Sequence, residues 1–122
     1  MLVNWNNSKV VINEVGKGPT IICLHGLGGG GYFFSDLAES LKDSFRVIAF
    51  DMPGLGTNRS AVEEFSIEQC VTFLLELLDS EFDEPVSLLG HSMGTIVALK
   101  AYEQRAQKIA SKIGRASCRE RV

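Results

Sequence analysis

VSLLGHSMG, residues 86 to 94, carries the chain from an apolar run into a helix-forming one through two glycines that flank a serine. Val86 to Leu89 have the length and composition of a buried strand. From Met93 to about Gln104 the residues are apolar nearly all round until Lys100, which reads as a helix. Gly90-His91-Ser92-Met93-Gly94 is then G-x-S-x-G at a strand–turn–helix corner, the context of a nucleophile elbow. So tight a turn strains the backbone of its central serine, and side chains two residues away on either side would collide. Gly90 and Gly94 remove them. The strain lifts the Ser92 hydroxyl clear of the sheet, at the positive end of the helix that begins near Met93, where a backbone N–H can bond an oxyanion.

The segments upstream repeat the alternation of strand and helix. VVINEV, residues 10 to 15, reads as a short strand stopped by Gly16-Lys17-Gly18-Pro19, and TIICLH, 20 to 25, as a strand covered on both faces. After a glycine-rich loop, Phe34, Leu37, Ala38 and Leu41 fall at helical spacing. RVIAFD, 46 to 51, reads as another buried strand, and Asp51-Met52-Pro53-Gly54-Leu55-Gly56 as a loop. Ser66-x-x-Gln69 is a capping box, with Phe65 placed to staple onto Cys70. It opens a helix whose apolar stripe is Ile67, Cys70, Val71, Leu74, Leu75 and Leu78. KIASKI, 108 to 113, reads as the start of a further strand. Alternating β and α segments with apolar strands predict an α/β fold, a doubly wound, mostly parallel sheet in three α/β/α layers, with sites at the carboxyl ends of the strands.

HGLGGGGYFF, residues 25 to 34, sits at one such end and has two readings. Gly26-x-Gly28-x-x-Gly31, with Asp51 twenty residues beyond Gly31, has the spacing of a dinucleotide-binding turn and its ribose-binding acid. His25-Gly26-Leu27 has that of an oxyanion-hole loop. The dinucleotide reading leaves GHSMG unexplained, and it requires TIICLH to open the fold, although a strand and turn precede it. His25-Gly26-Leu27, Asp51-x-Pro53-Gly54-x-Gly56 and Gly90-His91-Ser92-Met93-Gly94 each follow a strand, in that order. Through these three blocks the chain resembles the α/β-hydrolase superfamily from about Val10 to Ile113.

The resemblance implies that Ser92 is the nucleophile, that the backbone N–H groups of Leu27 and Met93 form the oxyanion hole, and that His25, Gly26, Gly90, His91 and Gly94 support them. His25 is expected to hydrogen-bond within its loop instead of acting as a base, His91 to point away from Ser92's side of the turn, and Asp51 to brace its loop. Tyr32, Phe33 and Phe34 could wall an acyl pocket, with core packing the favoured reading. Dehalogenase and epoxide hydrolase branches resemble this pattern but carry aspartate at the position of Ser92, which argues against both.

A serine hydroxyl needs a base oriented by a carboxylate, and the family's order is serine, acid, histidine. Both histidines of this chain precede Ser92. The triad is therefore incomplete in 122 residues, as in the N-terminal half of a domain about twice this length, truncated after the elbow helix. IGRASCRERV, residues 113 to 122, breaks all earlier periodicity. Over all ten residues it resembles the conceptual translation of a widely used short-read sequencing adapter. The expected organisation is a partial hydrolase domain over 1–112 and a non-native tail over 113–122. The tail carries +2 of charge, so 1–112 carries −5. Without a further strand, VSLL would be an exposed apolar edge, and residues 1 to 122 alone are expected to be inactive and to aggregate.

Composition bounds the partners. The chain has 45% hydrophobic and 22% charged residues, the proportions of an ordinary soluble domain. A net charge of −3 shows no basic footprint for nucleic acid or an anionic membrane. No signal peptide or spanning run is visible, which points to the cytoplasm. Cys23, Cys70 and Cys118 fit neither a disulfide framework nor a metal site, and Cys23 and Cys70 read as buried hydrophobes. The expected partner is a small ester-like substrate, with carboxylesterase chemistry and no cofactor or metal. Oligomeric state is not legible. The alternative of another class is a non-catalytic protein of the same fold that binds a small hormone-like or lipid ligand.

Overall fold

The computed structural model of the chain describes residues 1–115. Five strands form the main sheet: β3 (Asn13–Val15), β4 (Thr20–Leu24), β5 (Arg46–Ala49), β6 (Val86–His91) and β7 (Ile109–Arg115), in the order β3-β5-β4-β6-β7. Only β3 runs antiparallel, against β5; the other pairings are parallel. Helix α1 (Ser35–Leu41) packs on one face, α2 (Ile67–Glu81) and α3 (Met93–Arg105) on the other. This is the three-layer α/β/α arrangement with a mostly parallel sheet that the sequence predicts.

Alternation along the strands builds both cores, because successive side chains leave a strand on opposite faces. Ile22, Leu24, Ile48 and Phe50 join the large cluster with α2 and α3, whereas Cys23, Val47 and Ala49 join Phe34 and Ala38 beneath α1. Strands buried on both sides therefore read as unbroken apolar runs.

Residues 10 to 15 are not one strand, as the sequence suggested. A hairpin of β1 (Leu2–Trp5) and β2 (Ser8–Val11) precedes β3, and Ile12, fully buried, separates the two. Asn6 and Asn7 turn the hairpin at φ of 52° and 60°, the left-handed pair of a type I′ turn, which asparagine tolerates. The Asn58 side chain ties this hairpin to the main sheet. It accepts from Val11 N–H at 2.8 Å and donates to the Asp51 carbonyl at 2.7 Å.

Helix α2 starts as expected, with Ser66 Oγ accepting from Gln69 N–H at 3.1 Å. Its buried face is wider than the predicted stripe: Phe73 and Leu77 are inside, whereas Ile67 and Leu75 are half-buried. The cause is the hairpin, which covers a second side of the helix. Trp5 and Phe50 each meet Phe73 edge-on at 5.3 Å.

The strand begun by KIASKI is present and pairs with β6 through His91↔Arg115. VSLL is therefore an interior strand, and β7 is the edge, which corrects the expected exposed edge at β6. Pairing continues through residues 113 to 115, past the boundary drawn at 112; residues 116–122, with Cys118, lie outside the described residues. Among the described residues no helix is long and apolar enough to cross a membrane.

Phe73→Ala removes the ring that Trp5 and Phe50 share. It should lower unfolding free energy by about 3–5 kcal/mol in a denaturant titration, with exposed Thr72→Ala on the same helix changing it by less than about 0.5 kcal/mol.

Candidate active site

Ser92 stands between β6 and α3 at φ 57°, ψ −118°. Apart from the two hairpin asparagines it is the only non-glycine with positive φ among the described residues. A side chain held there costs about 1–3 kcal/mol, so the surrounding structure must impose it. The glycines show how. A Cβ on Gly90 would lie 2.7 Å from the Gly94 carbonyl and from Thr95 Cα, inside the first turn of α3. A Cβ on Gly94 would lie 2.0 Å from the Leu24 carbonyl oxygen. The predicted collisions are therefore present, but Gly94's is with the end of the neighbouring strand β4 and not with its own turn.

The loop after β4 rests on the same corner. A Cβ on Gly26 would lie 2.9 Å from Ser92 Cβ and 3.2 Å from the His91 carbonyl oxygen. Leu27 follows, largely exposed, while Met93 opens α3, so its N–H is one of the donors a helix start leaves without an intrahelical partner. Both amides therefore belong to residues adjoining the contact between Gly26 and Ser92.

His25 is fully buried, and both ring nitrogens are engaged. The Gly26 carbonyl can only accept, so Nδ1 donates to it at 2.6 Å; Nε2 then accepts from Met52 N–H at 2.9 Å. The ring ties β4 to the loop after β5 and has no lone pair left for proton transfer. Among the described residues no hydrogen bond joins the Ser92 hydroxyl to either histidine, and no three His, Cys, Asp or Glu side chains cluster as metal ligands.

Asp51 braces the loops on the other side. Its carboxylate accepts from Gly31 N–H at 2.8 Å, from Thr57 N–H at 2.9 Å and from the Thr57 hydroxyl at 3.0 Å. Burial pushes the carboxyl up, but the Thr57 and Gly31 bonds outweigh it and hold it below its ordinary value of 3.8. An aspartate so occupied is not free to grip a ribose, which removes the dinucleotide reading's key residue. Thr57 and Asn58, the partners of this brace, carried no sequence signal beyond their nearness to Asp51.

The aromatic run divides. Phe34 is buried under α1, but Tyr32 and Phe33 are 72% and 54% exposed, so core packing is corrected for these two. Their 3-10 turn (Gly31–Phe34) directs only the glycine and the last aromatic inward. Phe33 instead stacks on His91. Cys23 and Cys70 are buried, and burial pushes each thiol up to about 12, which leaves them unreactive.

The model of the family described as alpha/beta hydrolase fold matches residues 19–119. The chain is 36% identical over 84 residues to the magnesium-chelatase 30 kDa subunit of Rhodobacter capsulatus, covering 68% of this chain and 30% of that protein. It is 31% identical over 109 residues to the pimeloyl-[acyl-carrier protein] methyl ester esterase of Aeromonas hydrophila, covering 89% of this chain and 42% of that protein. The crystal structure of an epoxide hydrolase from Vigna radiata superposes with a TM-score of 0.84 at 28% identity, covering 93% of this chain and 38% of that one. The chain thus spans well under half the length of each.

Two outcomes test this geometry. Ser92→Gly should raise stability by about 1 kcal/mol by releasing the backbone strain, while Ser92→Ala, which keeps a Cβ, should stay near wild type in denaturant unfolding. Asp51 has a depressed folded pKa, so its contribution is fully present above the unfolded value of 3.8 and lost as pH falls through the folded one. Asp51→Asn should therefore unfold more easily than wild type at neutral pH, with the gap closing as unfolding is measured at pH values falling below 3.8.

Proposed function

The chain belongs to the alpha/beta-hydrolase-fold family, and on that premise we propose that the complete protein is a serine hydrolase acting by acyl transfer to water. The observation that carries the reading is the strained backbone of Ser92 with Gly26 packed against its side chain. The packing of α3 over the strand ends holds Ser92 in this strained conformation on the carboxyl edge of a parallel sheet, where its hydroxyl can meet a ligand.

In this reading Ser92 Oγ attacks the carbonyl carbon of an ester, and the hydroxyl proton passes to a histidine base supplied from beyond residue 113. The Leu27 and Met93 N–H groups stabilise the resulting oxyanion. Collapse expels the alcohol, which takes the proton back from the histidine, and water then releases the acid by the same path. The machinery is organic throughout and calls on no cofactor. A carboxyl ester is the favoured substrate class. The Aeromonas relative is named a methyl ester esterase, and serine stands at position 92 where the epoxide hydrolase branch carries aspartate. In this reading the protein acts in the cytoplasm on a small-molecule substrate, without a nucleic acid or membrane partner.

Among the described residues no histidine hydrogen-bonds the Ser92 hydroxyl, which favours a second reading, in which the fold binds a ligand and Ser92 performs no chemistry. A fluorophosphonate probe decides between them. The complete protein should be labelled and Ser92→Ala should not. An unlabelled wild type leaves the binding reading standing, and labelling that survives Ser92→Ala removes the proposed nucleophile. Residues 1 to 122 alone should show no ester turnover above the buffer rate.

A further inference from the structure

The glycine-rich loop that carries the Leu27 amide passes close to the His91 ring at its start and stacks on it at its end. At its start, a Cβ on Gly26 would lie 3.5 Å from His91 Cδ2. At its end, the Phe33 and His91 rings stack with centroids 4.8 Å apart and planes 20° from parallel. Phe33 in turn meets the buried Phe34 edge-on at 5.1 Å and 87°, so its orientation is set from the core beneath α1. His91 is the chain neighbour of Ser92 and the last residue of β6.

Between these contacts run Leu27 and four consecutive glycines, Gly28 to Gly31. Gly28 has φ +88° and open space around it, and glycine's conformational freedom is large. Inside the loop the Gly26 carbonyl accepts from His25 Nδ1 at 2.6 Å and from Gly29 N–H at 3.0 Å, the Gly30 carbonyl accepts from Phe33 N–H at 3.0 Å, and Gly31 N–H donates to Asp51. None of these reaches the elbow. At its start the loop packs on the elbow through the His25 carbonyl beside Gly94 and through Gly26 beside Ser92; at its end the Phe33–His91 stack joins the two.

We infer that Phe33 is a positioning residue: by stacking on His91 it closes the glycine-rich loop around that ring and holds the Leu27 N–H in register with the Ser92 hydroxyl. The inference rests on the reading of Ser92 as nucleophile. Offset stacking needs two ring faces, so an aliphatic side chain of similar bulk does not replace it. Because Phe33 is half-exposed, its replacement leaves both cores intact.

The test uses the complete protein with p-nitrophenyl acetate and a fluorophosphonate probe, comparing Phe33→Leu with Phe33→Tyr. Small displacements of a catalytic group cost large factors, so Phe33→Leu should lose about tenfold in kcat, with labelling slowed in parallel. KM should stay within about twofold, since ground-state binding is not what the stack supplies. Phe33→Tyr should restore kcat. In a proton–carbon spectrum, the His91 ring protons should carry an upfield ring-current shift in wild type and Phe33→Tyr that disappears in Phe33→Leu, and thermal unfolding should match throughout. Wild-type kcat in Phe33→Leu, a loss confined to KM, or a Phe33→Tyr as slow as Phe33→Leu overturns the positioning role while labelling of wild type keeps Ser92 as nucleophile. A wild type that takes no label overturns the nucleophile reading itself, and the positioning role with it.

Discussion

The close approach of α3 to the end of β4 governs the candidate site. Gly94 lies where any side chain would overlap the Leu24 carbonyl, and Gly90 lies where one would overlap the first turn of α3. With both positions bare, the helix starts directly over the strand ends, and the only way from β6 into it is a residue with positive φ. Ser92 is that residue. Its strain of about 1–3 kcal/mol is therefore a consequence of packing by two parallel strands and a helix, each held by a large apolar cluster. Larger residues at 90 or 94 would push the helix off the sheet before they relaxed the serine.

Polar residues near this corner act as braces. His25 spans two loops with both ring nitrogens, Asp51 gathers Gly31 and Thr57, and Asn58 joins the hairpin to the Asp51 carbonyl. The loops after β4 and β5 carry seven glycines from Gly26 to Gly56, and their backbone freedom must be restrained by something other than side-chain packing. The buried His25 and Asn58 and the half-buried Asp51 do this with directional hydrogen bonds that an apolar core cannot supply.

Much of this was legible in the sequence, and for identifiable reasons. VSLL and TIICLH are apolar on both sides because parallel strands are covered on both faces, and GHSMG is short enough that its sterics follow from residue type alone. The hairpin at the N-terminus was not resolved, because Asn6-Asn7 is a weaker turn signal than Asn-Gly and LVNW hardly alternates. Phe73 and Leu77 lie off the predicted stripe because a helix's buried arc depends on what packs on its second side, which local periodicity does not record. Tyr32 and Phe33 read as core on composition; only the 3-10 turn, with its threefold spacing, shows that they face outward. The pairing of β7 with β6 is a long-range contact that no local pattern of KIASKI could announce.

The two histidines illustrate how the same residue type divides between jobs. His25 donates at one nitrogen and accepts at the other, so adding or removing a proton would break a bond that holds β4 to the following loop. His91 presents its face to Phe33 and its edge toward Gly26, an arrangement that uses the ring's shape and not its basicity. In the proposed reaction Ser92 draws its base from outside residues 1–115, and the described residues would supply the other half: a strained hydroxyl and the proposed Leu27 and Met93 amides. That division is chemically coherent. Amides must be rigid to stabilise charge without reorganising, which suits a corner built from sheet and helix, whereas a base has to accept and return a proton and so cannot be tied down at both nitrogens as His25 is.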